Sequence, residues 1–503
     1  MPFFAYEAIL TKLSMKQFLS HLSLLMLLNL LIKPAYLLLV DARIQDVVGP
    51  EEFGRYFPLL SLSILFNILL DAGLSNHMTR LIASQRDDWQ AAYSAGWKAK
   101  GVLIPFYFAA LLGTGWALGY RGESLQWLAW VGGNQVVLSA VLFIRAGLQG
   151  LGAHRTDAWV SILDRAMLLV GLGTLLAIQP GFQIAWLLAG TTLALIAAGS
   201  IAFWRLQLNR KHLPFAPKRS SNIWLQLREG WPYALLFLLM MTYHRVDAIM
   251  LERSATNGAV EAGWYAMSYR LFEAANMIGY LFATLLLPYF SRMLAEKVDV
   301  RPLAIGASQL LLVGGGTIAW TACFWPDTLL QLFYDHEIAE AAPILPWLMV
   351  SFAIFAQGYV FSTLLTARKD LRFLNTVAAI GAIGNIALNA IWIPKYGALG
   401  CAMASAITQA VVVFIQCASS ILKHPGSVWW KLARSLALHS LVCGTICWIG
   451  SRLDVDAQFI APAVITACLL AGFIPGIMDD STLRALLSNK MNTFAASKLK
   501  SDS

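Results

Sequence analysis

Runs of about twenty apolar residues recur along the whole chain, separated by short polar or charged segments. A run of that length crosses a hydrocarbon core of about 30 Å as an α-helix. Lipid offers no partner to free backbone groups, so the helix is the structure such runs adopt. The pattern predicts about fourteen spans. Six come first, at 15–40, 56–78, 92–119, 125–148, 159–178 and 185–206. A polar stretch follows, then spans at 231–251, 263–288, 302–323, 342–365, 373–393 and 398–420, with a last pair at 434–451 and 459–478.

Composition agrees and excludes a soluble enzyme. Hydrophobic residues make up 58% of the chain and charged residues 13%, against roughly 25% charged in soluble domains. No G-x-x-x-x-G-K-[ST] loop is present, so nucleotide hydrolysis is not expected. Gly314, Gly315 and Gly316 lie inside an apolar span, where they read as a close helix contact. The longest loops expected outside the membrane, 41–55 and 324–341, leave no room for a catalytic domain. No cofactor or metal is expected. Cys443 and Cys447 stand one turn apart on one helix face and read as packing. All six cysteines, Cys323, Cys401, Cys417, Cys443, Cys447 and Cys468, fall in or beside spans, with no disulfide framework.

Lys and Arg fix the expected orientation, because basic segments at membrane ends stay cytoplasmic. With both termini inside, most of the 37 basic residues fall on the cytoplasmic side, the richest stretch running from Arg205 to Arg228. The net charge of +9 is then topology and contact with anionic headgroups, not nucleic-acid binding. Within that stretch, Ile223 to Leu227 reads as a segment along the inner membrane surface. The run from Leu19 to Val40, after Lys12 and Lys16, is too long for a signal-peptide core and is expected to stay as the first span. Tryptophans such as Trp127, Trp186, Trp231, Trp325, Trp429 and Trp430 are expected at the interfaces.

The chain repeats itself. Glu52-Phe53-Gly54-Arg55-Tyr56 and Glu261-Ala262-Gly263-Trp264-Tyr265 both read E-x-G-x-Y, 209 residues apart. That offset lays span one on span seven and span two on span eight in the same orientation, as in transporters built from parallel repeats. The expected organisation is an N-terminal lobe (1–208), a cytoplasmic basic linker (209–230), a C-terminal lobe (231–421), an appended span pair (422–478) and a cytoplasmic tail (479–503).

These residues also resemble a family. Gly49 to Tyr56, followed by Leu70-Asp71-Ala72-Gly73-Leu74, resembles the first hairpin of Wzx-type O-antigen and exopolysaccharide flippases. Val246 to Leu251 with Ala262 to Arg270 resembles their spans seven and eight, and Asn389 to Gly400 the turn between spans eleven and twelve. The signatures are shared in part with multidrug exporters and lipid II flippases of the same multidrug/oligosaccharidyl-lipid/polysaccharide exporter superfamily. The resemblance implies an all-α, polytopic, multidrug-exporter (MATE)-like fold in a bacterial inner membrane. It implies movement of an undecaprenyl-pyrophosphate-linked oligosaccharide between leaflets by alternating access, driven by H⁺ or Na⁺, beside a glycan polymerase and glycosyltransferases. Two other readings stay open: a cation-coupled exporter of drugs or metabolites, and a membrane glycan polymerase or ligase.

Ionisable residues inside spans are costly and point to function. Three basic residues lie well inside the predicted spans: Lys33, Arg245 and Arg270, each about 10 Å below the periplasmic end of its span at about 1.5 Å per residue. They form either a cationic layer for a diphosphate or acidic sugar, or ion pairs, Arg245 with Glu273 and Arg270 with Asp247. Lys33 has no evident local partner. Asp71 reads as a gate, or as a helix end paired with Arg80. His244, one turn before Asp247, reads as a proton carrier or a satisfied buried histidine. Asn385 and Asn389, one turn apart, read as a helix-to-helix hydrogen-bonding pair. Pro34 is the expected kink in span one.

Overall fold

The computed structural model describes residues 28–71, 73–83, 89–179, 181–210, 223–421, 425–453 and 455–478. Lys12, Lys16, Lys211, Lys218, Arg219 and the tail 479–503 lie outside the described residues. Helices make up nearly everything described. The helix at 28–48 is α1, and α2 runs over Pro50–Asp71 with a turn at Asn67. Then come α3 (Leu74–Ala83), α4 (Trp89–Ala117), α5 (Gly122–Gly150), α6 (His154–Ile178) and α7 (Ile184–Arg210). After them stand α8 (Ile223–Ser254), α9 (Gly258–Ala295), α10 (Arg301–Phe324), α11 (Leu345–Ala367), α12 (Leu371–Ile421), α13 (Pro425–Gly450) and α14 (Ala457–Ala471).

Among the described residues, 10 helices are long and apolar enough to cross a membrane. One of them, α12, is folded in two at Gly397, whose φ of 55° and ψ of −133° suit only a residue without Cβ. Spans eleven and twelve are therefore one helical run bent at that residue, and the expected fourteen spans are compatible with the helices observed. Helix α9 contains Pro288, and α12 contains Pro394 just before its bend at Gly397.

The loop expected at 41–55 is mostly helix. Helix α1 continues to Val48, and Gly49 alone separates it from Pro50, the first residue of α2. Pro34 does not break α1. Two residues later the helix widens into a π-helical stretch, Tyr36–Asp41. Such stretches bond i to i+5 and recur at functional sites. Here the extra residue per turn keeps Asp41 on the face that also carries Tyr36.

The chain forms two compact units. The first comprises Met1–Met277, Phe333–Glu337 and Asn385–Cys401; the second comprises Ile278–Leu332, Ile338–Gly384 and Ala402–Ser503. In the first, α2, α4 and α5 bury a core of Leu59, Leu62, Tyr107, Leu111, Tyr120 and Leu128. In the second, Trp325 packs with Cys443, Cys447, Ile460 and Cys468 in a buried cluster. Trp325 is 8% exposed, so it belongs to that core and not to an interfacial belt, whereas Trp430 is 68% exposed.

The repeated motif becomes a contact in the first unit. A Cβ on Gly54 would stand 1.7 Å from the carbonyl oxygen of Ala259, and one on Gly263 would stand 2.1 Å from that of Pro50. Each glycine thus meets the residue four before its counterpart, so α2 and α9 cross backbone to backbone with two-fold reciprocity. The motif's glutamates are matched too. Glu52 accepts from the Ile184 backbone N–H at the start of α7, at 3.5 Å, and Glu261 accepts from that of Ala398, just past the Gly397 bend, at 2.8 Å. A carboxylate at a helix start satisfies an orphan donor and faces the positive end of the helix dipole.

Candidate functional site

The charged residues inside the first unit gather along α1. Asp41, 5% exposed, receives the Arg270 guanidinium, Nε to Oδ2 at 2.6 Å. Arg270 reaches Glu273 through Nη1 at 2.5 Å, one turn along α9. Glu273 holds Arg245 of α8 on its other oxygen, at 2.6 Å. Two carboxylates and two guanidiniums therefore alternate from α1 to α9 to α8, Glu273 bearing two charge-assisted hydrogen bonds and Asp41 an ion pair. Aromatic faces enclose the chain. The Arg270 guanidinium lies 5.4 and 5.3 Å from the ring centres of Phe53 and Phe57, and that of Arg245 lies 5.6 Å from Tyr269. Buried charges of this kind are tolerated only when paired and hydrogen-bonded.

Asp247 stands one turn before Leu251 on α8 and is 2% exposed. It accepts from Asn389 Nδ2 at 2.6 Å and from the Tyr265 hydroxyl at 3.3 Å. Asn389 Nδ2 also donates to Asn385 Oδ1 at 3.1 Å, so the asparagine pair read from the sequence serves an aspartate. Arg270, expected beside Asp247, is instead paired with Asp41 and Glu273. The ring of His244 packs 4.8 Å from that of Tyr243 and 6.5 Å from that of Phe272, while its carbonyl accepts the Tyr269 hydroxyl at 3.2 Å.

Lys33 is not joined to that chain of ion pairs. It lies on α1 in the electrostatic field of Arg145, Asp157, Asp164 and Arg165. Because α1 runs on to Val48, Lys33 lies about 22 Å from its last residue at about 1.5 Å per residue. Around it, Arg145 grips Asp157 at 2.7 and 3.3 Å, and Asn29 donates to Ser161 at 2.9 Å.

Asp71 pairs with a residue that the sequence reading passed over. Lys100 of α4, 4% exposed, donates to Asp71 Oδ1 at 3.1 Å, to Ser139 Oγ at 2.7 Å and to the Leu70 carbonyl at 3.0 Å. Arg80, the expected partner, is not in that group. The Ser75 hydroxyl also donates to Asp71. The ammonium thus supplies a donor where α2 gives way to α3.

At the end of α1, Asp46 gathers a five-residue strap. Its Oδ1 accepts from the backbone N–H groups of Asp335 and His336, both at 3.0 Å, and its Oδ2 pairs with Arg43 at 2.8 Å. Arg43 also holds Asp335 at 2.5 Å. That bond keeps the Asp335 carboxyl below the usual carboxylate range. The Tyr334 hydroxyl reaches Gln45 Oε1 at 3.2 Å, and Gln45 Nε2 donates to the Gly263 carbonyl at 2.8 Å.

Sequence reasoning missed Asp41, Lys100, Arg145 and Arg165. Asp41 follows the last residue of the apolar run, so it reads as the start of a loop. Its signal was spacing: it stands five residues from Tyr36 across a π-helical turn. Among the described residues no group of His, Cys, Asp and Glu is arranged to hold a metal ion.

Known proteins resemble this chain at several levels. Residues 18–294 match the model of a family described as polysaccharide biosynthesis protein. The lipid III flippase of Escherichia coli (strain K12) is 23% identical over 420 residues, 76% of this chain and 94% of that protein, and that of Shigella flexneri matches to the same extent. Among solved structures, the lipid II flippase MurJ in an inward closed conformation is similar with a TM-score of 0.66 at 14% identity, over 88% of this chain and 95% of that one. An inward-facing multidrug resistance MATE family transporter of the MOP superfamily gives 0.60 at 15% identity, over 79% and 94%. These structural likenesses establish the fold.

Proposed function

The chain belongs to the polysaccharide biosynthesis protein family, and from that premise we propose that it is a flippase for an undecaprenyl-pyrophosphate-linked oligosaccharide in the bacterial inner membrane. The cargo is a repeat unit of O-antigen, capsule or exopolysaccharide, carried from the cytoplasmic to the periplasmic leaflet by alternating access. The observation that carries this reading is the ionic chain Asp41, Arg270, Glu273 and Arg245, buried between α1, α9 and α8 and walled by aromatic rings. Charge at that depth is costly and is retained where a polar cargo or an ion passes. A sugar diphosphate needs such a path while its polyprenyl tail stays in lipid.

The reciprocal crossing of Gly54 and Gly263 supports two parallel six-helix lobes related through the E-x-G-x-Y motifs. Both termini are cytoplasmic in this reading, with glycosyltransferases and a polymerase as working partners. Coupling to H⁺ or Na⁺ falls to Asp247, the buried carboxylate held by Asn389 and Tyr265.

The test is deletion of the gene with analysis of lipid-linked intermediates. Fully assembled oligosaccharide should accumulate facing the cytoplasm, and the intact chain should clear it. Normal glycan display with raised drug sensitivity would replace flipping with drug export.

A further inference from the structure

Most cations around α1 are spoken for. Arg270 and Arg245 each hold a carboxylate at 2.6 Å, and Arg145 holds Asp157 at 2.7 Å; none of these three side chains is more than 16% exposed. Gln149 Nε2 fills a further site on Asp157 at 2.8 Å.

Arg165 of α6 differs. The carboxylate that approaches it is that of its chain neighbour Asp164, at 3.6 Å, beyond hydrogen-bond distance, and its side chain is 36% exposed. Its guanidinium lies over the ring of Tyr36, 5.2 Å from the centre, at the start of the π-helical stretch. Lys33, three residues before Tyr36 on the same helix, is half-buried and shares the field of Arg165 and Asp164. No carboxylate of the described residues makes an ion pair with it. The five cations Lys33, Arg145, Arg165, Arg245 and Arg270 face the four carboxylates Asp41, Asp157, Asp164 and Glu273. One positive charge is in surplus, and Lys33, which makes no ion pair among the described residues, carries it beside Arg165, which Asp164 approaches only at 3.6 Å.

Neither residue is at a helix end. Arg165 lies about 16 Å into α6 at about 1.5 Å per residue, too deep to snorkel. A partly exposed charge at that depth faces water or a polar cargo, not lipid. We infer that Lys33 and Arg165 form an anion subsite that takes the diphosphate of the polyprenyl carrier. This rests on the flippase reading above and adds to it the place where the phosphates bind. Arginine offers a planar fork of donors that matches phosphate oxygens in pairs, and lysine adds a compact charge beside it. The Tyr36 ring steadies the fork, and the Asn29 to Ser161 hydrogen bond, 2.9 Å, ties α1 to α6 one turn from each cation. The two locked arginines of the ionic chain then leave the phosphates to Lys33 and to Arg165, which Asp164 approaches beyond hydrogen-bond distance.

The experiment uses the full chain in lipid nanodiscs, with undecaprenyl diphosphate as probe and undecaprenyl monophosphate and inorganic pyrophosphate as comparisons. Undecaprenyl diphosphate should bind more tightly than the monophosphate, and pyrophosphate should compete. Lys33→Met and Arg165→Gln should each weaken diphosphate binding by about tenfold or more, Arg165→Lys less, at unchanged melting temperature. Pyrophosphate that fails to compete would overturn a headgroup site. Wild-type affinity in Lys33→Met and Arg165→Gln would overturn the subsite, and glycan display restored in the deletion strain by both would leave the flippase reading standing. A wild-type chain that neither binds undecaprenyl diphosphate nor restores display would remove both.

Discussion

Gly54 and Gly263, 209 residues apart in sequence, each press against the backbone four residues before the other, with hypothetical Cβ atoms 1.7 Å from Ala259 O and 2.1 Å from Pro50 O. No side-chain rearrangement relieves a clash with main chain. Gly54→Ala and Gly263→Ala should therefore each destabilise the protein by about 1–3 kcal/mol or more, read as a lowered melting temperature in detergent. Gly101→Ala, on α4 with open space around it, is the control and should be neutral or slightly stabilising. Equal melting temperatures for all three would contradict the crossing.

The Asp41 to Arg270 pair is buried on both sides, with side chains 7% and 4% exposed. Asp41→Asn removes one partner and leaves the guanidinium with Glu273 alone. Loss of one member of a buried pair costs about 3–5 kcal/mol. The double variant Asp41→Asn/Arg270→Gln should lose less than the sum of the two single changes, because the second substitution removes the stranded charge. A double-mutant cycle on thermal or denaturant unfolding gives the coupling directly, and additive losses would mean that the two groups do not interact.

The all-helical, many-span architecture was legible because a twenty-residue apolar run has few alternatives in a membrane. The ends were less so. Val40 closes the apolar run but not the helix, since Asp41, Gln45 and Asp46 are buried by partners from α9 and the 333–337 strap. The E-x-G-x-Y echo was legible as a repeat, though not the meeting of its two copies where α2 crosses α9, and Asn385 and Asn389 were legible as a pair. That Arg245 meets Glu273 followed from depth on adjacent spans. That Arg270 meets Asp41 did not, because their approach depends on the π-helical turn at Tyr36–Asp41, which no hydrophobic period announces. Lys100, near the start of the third predicted span, went unread, and the break between α2 and α3 accounts for its burial.

Lys100 and Lys98 offer a contrast on one helix. Lys98 is exposed, while Lys100 satisfies the Leu70 carbonyl, Ser139 and Asp71 together. Lys100→Met keeps the length of the stem and strands those acceptors, at about 1–3 kcal/mol for each buried group left unmade. Lys98→Met should change the melting temperature little. Matched melting curves would show whether the ammonium holds the α2 to α3 break.

The strap at Phe333–Glu337 is held to α1 by Arg43 and Gln45 as well as Asp46, but Asp46 alone accepts from its backbone amides. In Asp46→Ala the amides of Asp335 and His336 lose their acceptor, and their hydrogen exchange should quicken by about tenfold or more, the value of about 1.4 kcal/mol in an opening equilibrium. Exchange in α10 should stay as it was. The Arg43 to Asp335 bond adds a pH dependence, since it lowers the carboxyl of Asp335. A carboxyl with a lowered value in the folded protein stabilises it fully above its ordinary value, about 3.9, and loses that contribution as the pH falls through the depressed one. The gap in melting temperature between wild type and Asp335→Asn should therefore hold from neutral pH down to about 4 and close below it. A gap that closed already between pH 7 and 5 would assign the docking to a different titrating group.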